Sequence, residues 1–97
     1  MYEIELTPKA REDLMWFRKN EQEEILNGME ANLLYEPTTE TRNRKRLRPN
    51  DTAEWELRLG KYRVLYDVDN KIFIVSIEAI GLKLGSAFYF QGKEQEI

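Results

Sequence analysis

The sequence predicts an α+β fold: an N-terminal strand, then two antiparallel helices packed on a mainly antiparallel β-sheet meander. Three observations predict it. Tyr2-Glu3-Ile4-Glu5-Leu6 alternates apolar and polar with period two. From Ala10 to Leu33 the apolar spacing changes to that of a helix. From Glu54 onward the alternation returns, cut by short turn signals. With 97 residues the chain has room for one core, so residues 1–97 read as a single domain.

Each element has a local cause. Thr7-Pro8 opens the first helix, with Thr7 as N-cap and Pro8 in the first turn, where a missing N–H costs nothing. Ala10, Leu14 and Phe17 form its buried stripe. Asn20 and Glu23 have capping-box spacing and are expected to start the second helix. Ile25, Leu26, Met29 and Leu33 line its apolar face, and Glu36-Pro37 ends it. Gly28 weakens that helix by about 1 kcal/mol relative to Ala, which points to a close approach by another element. Residues 37–53 are rich in Pro, Thr and Asn and read as a loop, with Leu47 as its packing residue.

The second half reads as three strands. Trp55, Leu57 and Leu59 alternate with Glu54, Glu56 and Arg58. Gly60-Lys61 suits a type II′ turn, and Tyr62, Val64, Tyr66 and Val68 continue the pattern. This turn sets Leu59 against Tyr62, Arg58 against Arg63, Glu56 against Leu65 and Trp55 against Tyr66. Asp69-Asn70 is expected to be a second two-residue turn, which sets Val64 against Val75 and Arg63 against Ser76. Phe73, Val75 and Ile77 then join the core face. The strand from Ile72 to Ile80 is apolar on both faces and therefore central, and Gly81 is expected to end it before a tail with Phe88, Tyr89 and Phe90.

Composition removes whole classes of chemistry. The chain has no cysteine and no histidine, so it has no disulfide, thiolate or imidazole base. No apolar run is long enough to span a bilayer, and the N-terminus lacks a signal-peptide pattern, so a cytoplasmic protein is expected. Net charge is −3, yet it is unevenly placed. Residues 1–41 carry 4 basic and 10 acidic side chains, residues 42–63 carry 8 and 3, and residues 64–97 carry 3 and 5. Arg42, Arg44, Lys45, Arg46 and Arg48 form the peak, which reads as a phosphate-facing patch or a surface for an acidic protein. Arg58 opposite Arg63 is repulsive across a strand pair. Either the pair grips a phosphate or Glu56 neutralises it, and both readings stand together if the carboxylate yields to an arriving anion.

The order of elements, the stretch Trp55-Glu-Leu-Arg-Leu-Gly-Lys-Tyr-Arg-Val-Leu-Tyr66, and Ile77-Glu-Ala-Ile-Gly-Leu-Lys83 resemble the RelE/ParE toxin superfamily of bacterial type II toxin–antitoxin systems. Thr-Pro-x-Ala-x-x-Asp-Leu at 7–14 adds to the resemblance, which covers nearly the whole chain. RelE-type members are ribosome-dependent, metal-free mRNA endoribonucleases, and ParE-type members share the fold but inhibit gyrase. Both are neutralised by an antitoxin protein.

The resemblance implies site residues one by one. Arg63 falls at the arginine that contacts the scissile phosphate, Lys83 where RelE-type members keep an arginine that helps the leaving group or the phosphate, and Tyr89 at the tyrosine that stacks on a base. Ribonuclease members carry lysines on the first meander strand where this chain has Glu54 and Glu56, so Glu56 becomes the candidate base. Arg58 and Arg63 would be the phosphorane cations, and Arg42, Arg44, Lys45, Arg46 and Arg48 the RNA-binding patch. No cofactor and no metal are implied; the partners are the antitoxin, the ribosome and mRNA. From the residues alone, Lys83 equally fits a solvated loop, Tyr89 core packing beside Phe88 and Phe90, and Glu56 the wet side of a strand. The competing functions are a gyrase inhibitor and a catalytically weak member that mainly binds antitoxin.

Overall fold

The computed structural model describes residues 1–97. The elements are β1 (Glu3–Leu6), α1 (Pro8–Met15), α2 (Lys19–Leu33), β2 (Arg44–Arg46), β3 (Trp55–Leu59), β4 (Tyr62–Asp69), β5 (Ile74–Leu84), β6 (Ala87–Phe90) and β7 (Lys93–Gln95). The seven strands form one sheet in the order β2-β3-β4-β5-β6-β7, with β1 also pairing β5. One edge of β5 is therefore shared: its first half takes β1 in parallel, Glu3 beside Ile74 to Leu6 beside Ile77, and its last residues take β6.

Thr7 caps α1 as its sequence indicates, accepting the Ala10 N–H at 3.1 Å, and Pro8 follows at the first turn. The second helix starts earlier than the Asn20 signal. Arg18 is its N-cap, and the Glu21 carboxylate accepts the Arg18 N–H at 3.1 Å. Ala10, Leu14, Phe17, Ile25, Met29 and Leu33 are buried over the sheet, whereas Leu26 lies at the margin and is exposed. Gly28 does mark a close approach: a Cβ there would meet Leu59 Cδ1 at 2.5 Å.

The β3–β4 register is the expected one, Arg58 against Arg63 included. Gly60 has φ +59°, the conformation a II′ turn demands at its first position. The β4–β5 register is not the expected one. Asp69 pairs with Ile74, so the turn is the four-residue loop 70–73, held where the Asp69 carboxylate accepts the Lys71 N–H at 2.9 Å. Phe73 leaves the ladder, takes φ +57° and is exposed. Val75 and Ile77 still reach the core, because a four-residue shift preserves the alternation. A bulge opposite Leu65 and Tyr66 then adds one residue to β5 and changes its parity. Ile80 therefore faces the helices, and Arg63 lies opposite Gly81 rather than Ser76.

Two more expectations are corrected. The loop 37–53 contains β2, because Arg44, Lys45 and Arg46 pair with Leu57, Glu56 and Trp55. Gly81 does not end β5. It sits where a Cβ would collide with the Tyr89 carbonyl and, at 2.7 Å, with the Phe90 ring, so β6 lies close against it while β5 continues to Leu84.

Asp13 links the layers. It is fully buried and accepts hydrogen bonds from Ile80 N at 3.0 Å, Gln91 Nε2 at 2.7 Å and Lys9 Nζ at 3.0 Å. β1 has ended before Ile80, so the carboxylate supplies the acceptor a strand would otherwise give. No helix is long and apolar enough to cross a membrane.

Candidate functional site

Strand alternation sorts the polar residues. Across β3, β4 and β5, Leu57, Val64 and Ile80 face the helices, so Glu56, Arg58, Arg63 and Lys83 occupy the other face. Lys45 joins that face as the cross-strand partner of Glu56, and Phe88 as the partner of Lys83. A cleft of about 160 Å³ is lined by Leu47, Arg48, Glu56, Arg58, Lys83 and Phe88, with Ile97 at its edge.

Glu56 is the floor of this cleft and only 2 % exposed. Its Oε1 accepts from Arg58 Nε at 2.7 Å, and its Oε2 lies 3.8 Å from Arg63 Nε. The carboxylate thus lies against both arginines of the repulsive cross-strand pair. Arg63 also donates from Nη1 to the carbonyls of Gly60 at 2.6 Å and Tyr62 at 2.9 Å, clipping the hairpin turn. Its Nε is buried without a hydrogen-bond partner. Burial lowers the Arg63 pKa, Glu56 opposes that shift and Arg58 adds to it. An arginine guanidinium stays charged at neutral pH.

Lys83 is on β5, not in a loop, and its ammonium lies 5.2 Å from the centre of the Phe88 ring. Tyr89 is not brought to this cluster. Its partner is Leu82, whose own partner is Tyr62, and both pack on the helix side. Phe88 is the aromatic residue at the cleft, stacked 6.4 Å from Phe90 with an interplanar angle of 5°. Reading the tail as a hairpin around Gly85, which has φ +63°, and counting parity from Lys83 would have selected Phe88.

The basic cluster divides between two faces. Arg44 turns to the helix side and donates to the carbonyls of Thr39 and Asn32, each at 2.8 Å. Arg46 lies 5.5 Å from the Trp55 ring centre and 3.5 Å from Glu54. Lys45 and Arg48 belong to the face of the cleft, and Arg42 is exposed. No grouping of three or more acidic side chains suited to a metal ion occurs.

Residues 4–81 match the family described as the ParE toxin of type II toxin-antitoxin systems, parDE. The chain belongs to that family. Its fold is similar to a chain of the toxin-antitoxin complex RelBE2 from Mycobacterium tuberculosis, with TM-score 0.72 and 27 % identity, over 84 % of this chain and 98 % of that one. It is also similar in fold to a chain of the archaeal RelE-RelB complex from Pyrococcus horikoshii, with TM-score 0.65 and 23 % identity, over 81 % and 91 %. No curated protein sequence matches the chain. The chain is thus a toxin of the RelE/ParE superfamily. The family match includes Glu56, Arg58 and Arg63 and ends at Gly81, so Lys83, Phe88 and Tyr89 lie outside it.

Proposed function

We propose that this toxin arrests translation by cutting mRNA on the ribosome without a metal, and that an antitoxin protein holds it in check. The observation that carries the reading is Glu56, a carboxylate on the floor of a cationic cleft, hydrogen-bonded by Arg58 and flanked by Arg63. Metal-free cleavage of RNA needs a base for the 2′-OH, cations for the phosphorane and a proton for the leaving 5′-oxygen. An incoming phosphate competes with Glu56 for Arg58. The freed carboxylate takes the 2′-OH proton, O2′ attacks phosphorus, and Arg58 and Arg63 hold the charge that develops on the phosphoryl oxygens. Lys83 is the cation on the far side of the cleft and donates to the 5′-oxygen as its bond to phosphorus breaks. Phe88, in the role the sequence suggested for Tyr89, stacks on a base of the substrate. Lys45, Arg48 and Arg42 hold ribosomal RNA, an interaction that weakens steeply with salt. The antitoxin is inferred from both structural relatives, whose chains come from toxin-antitoxin complexes.

The test is inducible expression in bacteria of the wild type, Arg63→Ala and Glu56→Gln, followed by primer extension on mRNA. Growth arrest with codon-phased cuts, lost in Arg63→Ala, is the expected result. Arrest without cuts overturns the reading. A second reading, a non-enzymatic gyrase inhibitor, is favoured by the ParE description of the matching family and by the near-complete burial of Glu56. It predicts loss of DNA supercoiling by purified gyrase with mRNA intact.

A further inference from the structure

Beyond β6 the chain reverses at Gln91 and Gly92, both at positive φ, and returns as β7. Three cross-strand pairs hold β7: Phe90 with Lys93, Tyr89 with Glu94 and Phe88 with Gln95. All three residues of β7 are exposed, so water can replace the packing of this strand at little cost. Its continuation behaves differently. Gln95 shares the face of Phe88, and by alternation so does Ile97. Ile97 is half-buried, packed against the small cluster of Ala53, Leu65, Ala79 and Phe90 together with Leu47 and Phe88. It borders the cleft that holds Glu56, Arg58 and Lys83, and a neighbouring cavity of about 440 Å³ shared by Arg48, Lys83, Glu94 and Glu96. An apolar residue thus anchors an exposed, acidic segment beside two cations, Arg48 and Lys83, that have no ion-pair partner.

We propose that Lys93–Ile97 is a strap, anchored by Ile97, that closes the cleft to anionic ligands and lifts when one binds. The proposal rests on reading the cleft as a phosphate site. With the anchor seated, the Ile97 side chain occupies the cleft edge next to Phe88, where a base would stack, and the segment covers the cavity it shares with Arg48 and Lys83. With the anchor released, Arg48, Lys83 and the Phe88 ring face solvent together. A ligand that binds only the open form has its apparent affinity reduced by the open fraction, so a strap closed nine-tenths of the time weakens binding about tenfold.

The test uses pyrophosphate as the probe, titrated into the full chain and followed by amide shifts in residues 56–63 and 82–88. Ile97→Ser removes the apolar anchor without adding charge. Gln95→Pro removes a ladder N–H of β7 and leaves Ile97 in place. Thermal unfolding confirms that each variant is folded. Both variants are expected to bind pyrophosphate about tenfold more tightly than the wild type. In the wild type, hydrogen exchange in β6 and β7 is expected to speed up as pyrophosphate is added. Equal affinity in the three chains, undetectable binding in all of them included, overturns the strap, as does tighter binding by the wild type. The ribonuclease reading is scored separately by mRNA cutting. Tighter pyrophosphate binding by chains that cut no mRNA sinks that reading and leaves the strap standing. Equal cutting and equal affinity do the reverse.

Discussion

The buried Nε of Arg63 lies 3.8 Å from Oε2 of Glu56, while Oε1 of the same carboxylate is held by Arg58 at 2.7 Å. Glu56→Gln keeps the shape and removes the charge between two guanidiniums. Arg58 is 42 % exposed, so the cost to stability is about 1–2 kcal/mol, below that of breaking a fully buried pair. On the proposed ribonuclease reading, in which Glu56 is the base, the substitution lowers mRNA cutting at least ~100-fold. Single-turnover cleavage on programmed ribosomes, beside a denaturant midpoint, separates the two effects. Unchanged cutting in a folded Glu56→Gln chain removes Glu56 from the chemistry.

Asp13→Asn replaces two carboxylate oxygens with one carbonyl. The side chain then cannot accept from both Ile80 N–H and the Gln91 amide as it does now. We expect a loss of about 1–3 kcal/mol. That lowers the melting midpoint by roughly 4–8 °C per kcal/mol in a chain of this size. Lys9→Ala, at the half-exposed end of the same network, costs less than ~1 kcal/mol. Equal losses in the two variants would contradict the role assigned to Asp13.

Gly81→Ala and Gly28→Ala differ in what their methyl groups meet. At position 81 the obstacle includes the Tyr89 carbonyl, which is backbone, so β6 must move. Overpacking of that kind costs about 1–3 kcal/mol. At position 28 the obstacle is the Leu59 side chain, which can rotate, and about 1 kcal/mol of helix propensity is regained. Urea unfolding should rank Gly81→Ala well below Gly28→Ala.

The basic cluster should divide in the same manner as its side chains. Arg44→Ala leaves the Asn32 and Thr39 carbonyls without their guanidinium and lowers stability by about 1–2 kcal/mol. Arg42→Ala, Lys45→Ala and Arg48→Ala should leave the melting midpoint nearly unchanged. They should also weaken ribosome binding and flatten its dependence on salt. Sedimentation with ribosomes across a salt series measures both.

Two tyrosines give the alkaline limit. Burial pushes the Tyr66 phenol well above its ordinary value of 10, and burial, then the hydrogen bond to Glu21, raises Tyr62. The folded chain therefore keeps protons that the unfolded chain releases near pH 10. The stability this contributes is complete below about pH 10 and is lost as pH rises towards the folded values. Tyr66→Phe deletes the 2.6 Å hydrogen bond to the Pro37 carbonyl. It should cost about 0.5–1.5 kcal/mol at neutral pH and flatten the decline above pH 10. Urea midpoints between pH 7 and 11.5 test the slope.

How much of this was legible in the sequence depends on the turn. Gly60 takes a backbone angle that few other residues accept, so the pairing of Arg58 with Arg63 followed from the two-residue turn. Asp69-Asn70 carries the same kind of signal, but the Asp69 side chain closes a longer loop by bonding the amide of Lys71. The bulge beside Leu65 leaves no mark in the alternation, since Ala79 and Ile80 are both apolar. The shared face of Glu56, Arg58 and Arg63 follows from the first turn, which lies ahead of that bulge. Phe88 sits on a strand that the sequence reads as a tail, so its pairing with Lys83 is not legible there. The burial of Asp13 was hidden for another reason: an acidic residue on a short helix reads as solvated until the β5 amide it meets is in place.

The parallel pairing of Glu3–Leu6 with Ile74–Ile77 has a consequence for the order of events during synthesis. β1 is made well before β5 and has no partner until β5 follows. Contacts of such long sequence separation close late in folding. The helices can form locally, but the sheet edge and the Asp13 bond to Ile80 must wait for β5. A growing chain therefore cannot complete this sheet, or the buried Asp13 bond beneath it, until β5 has been made.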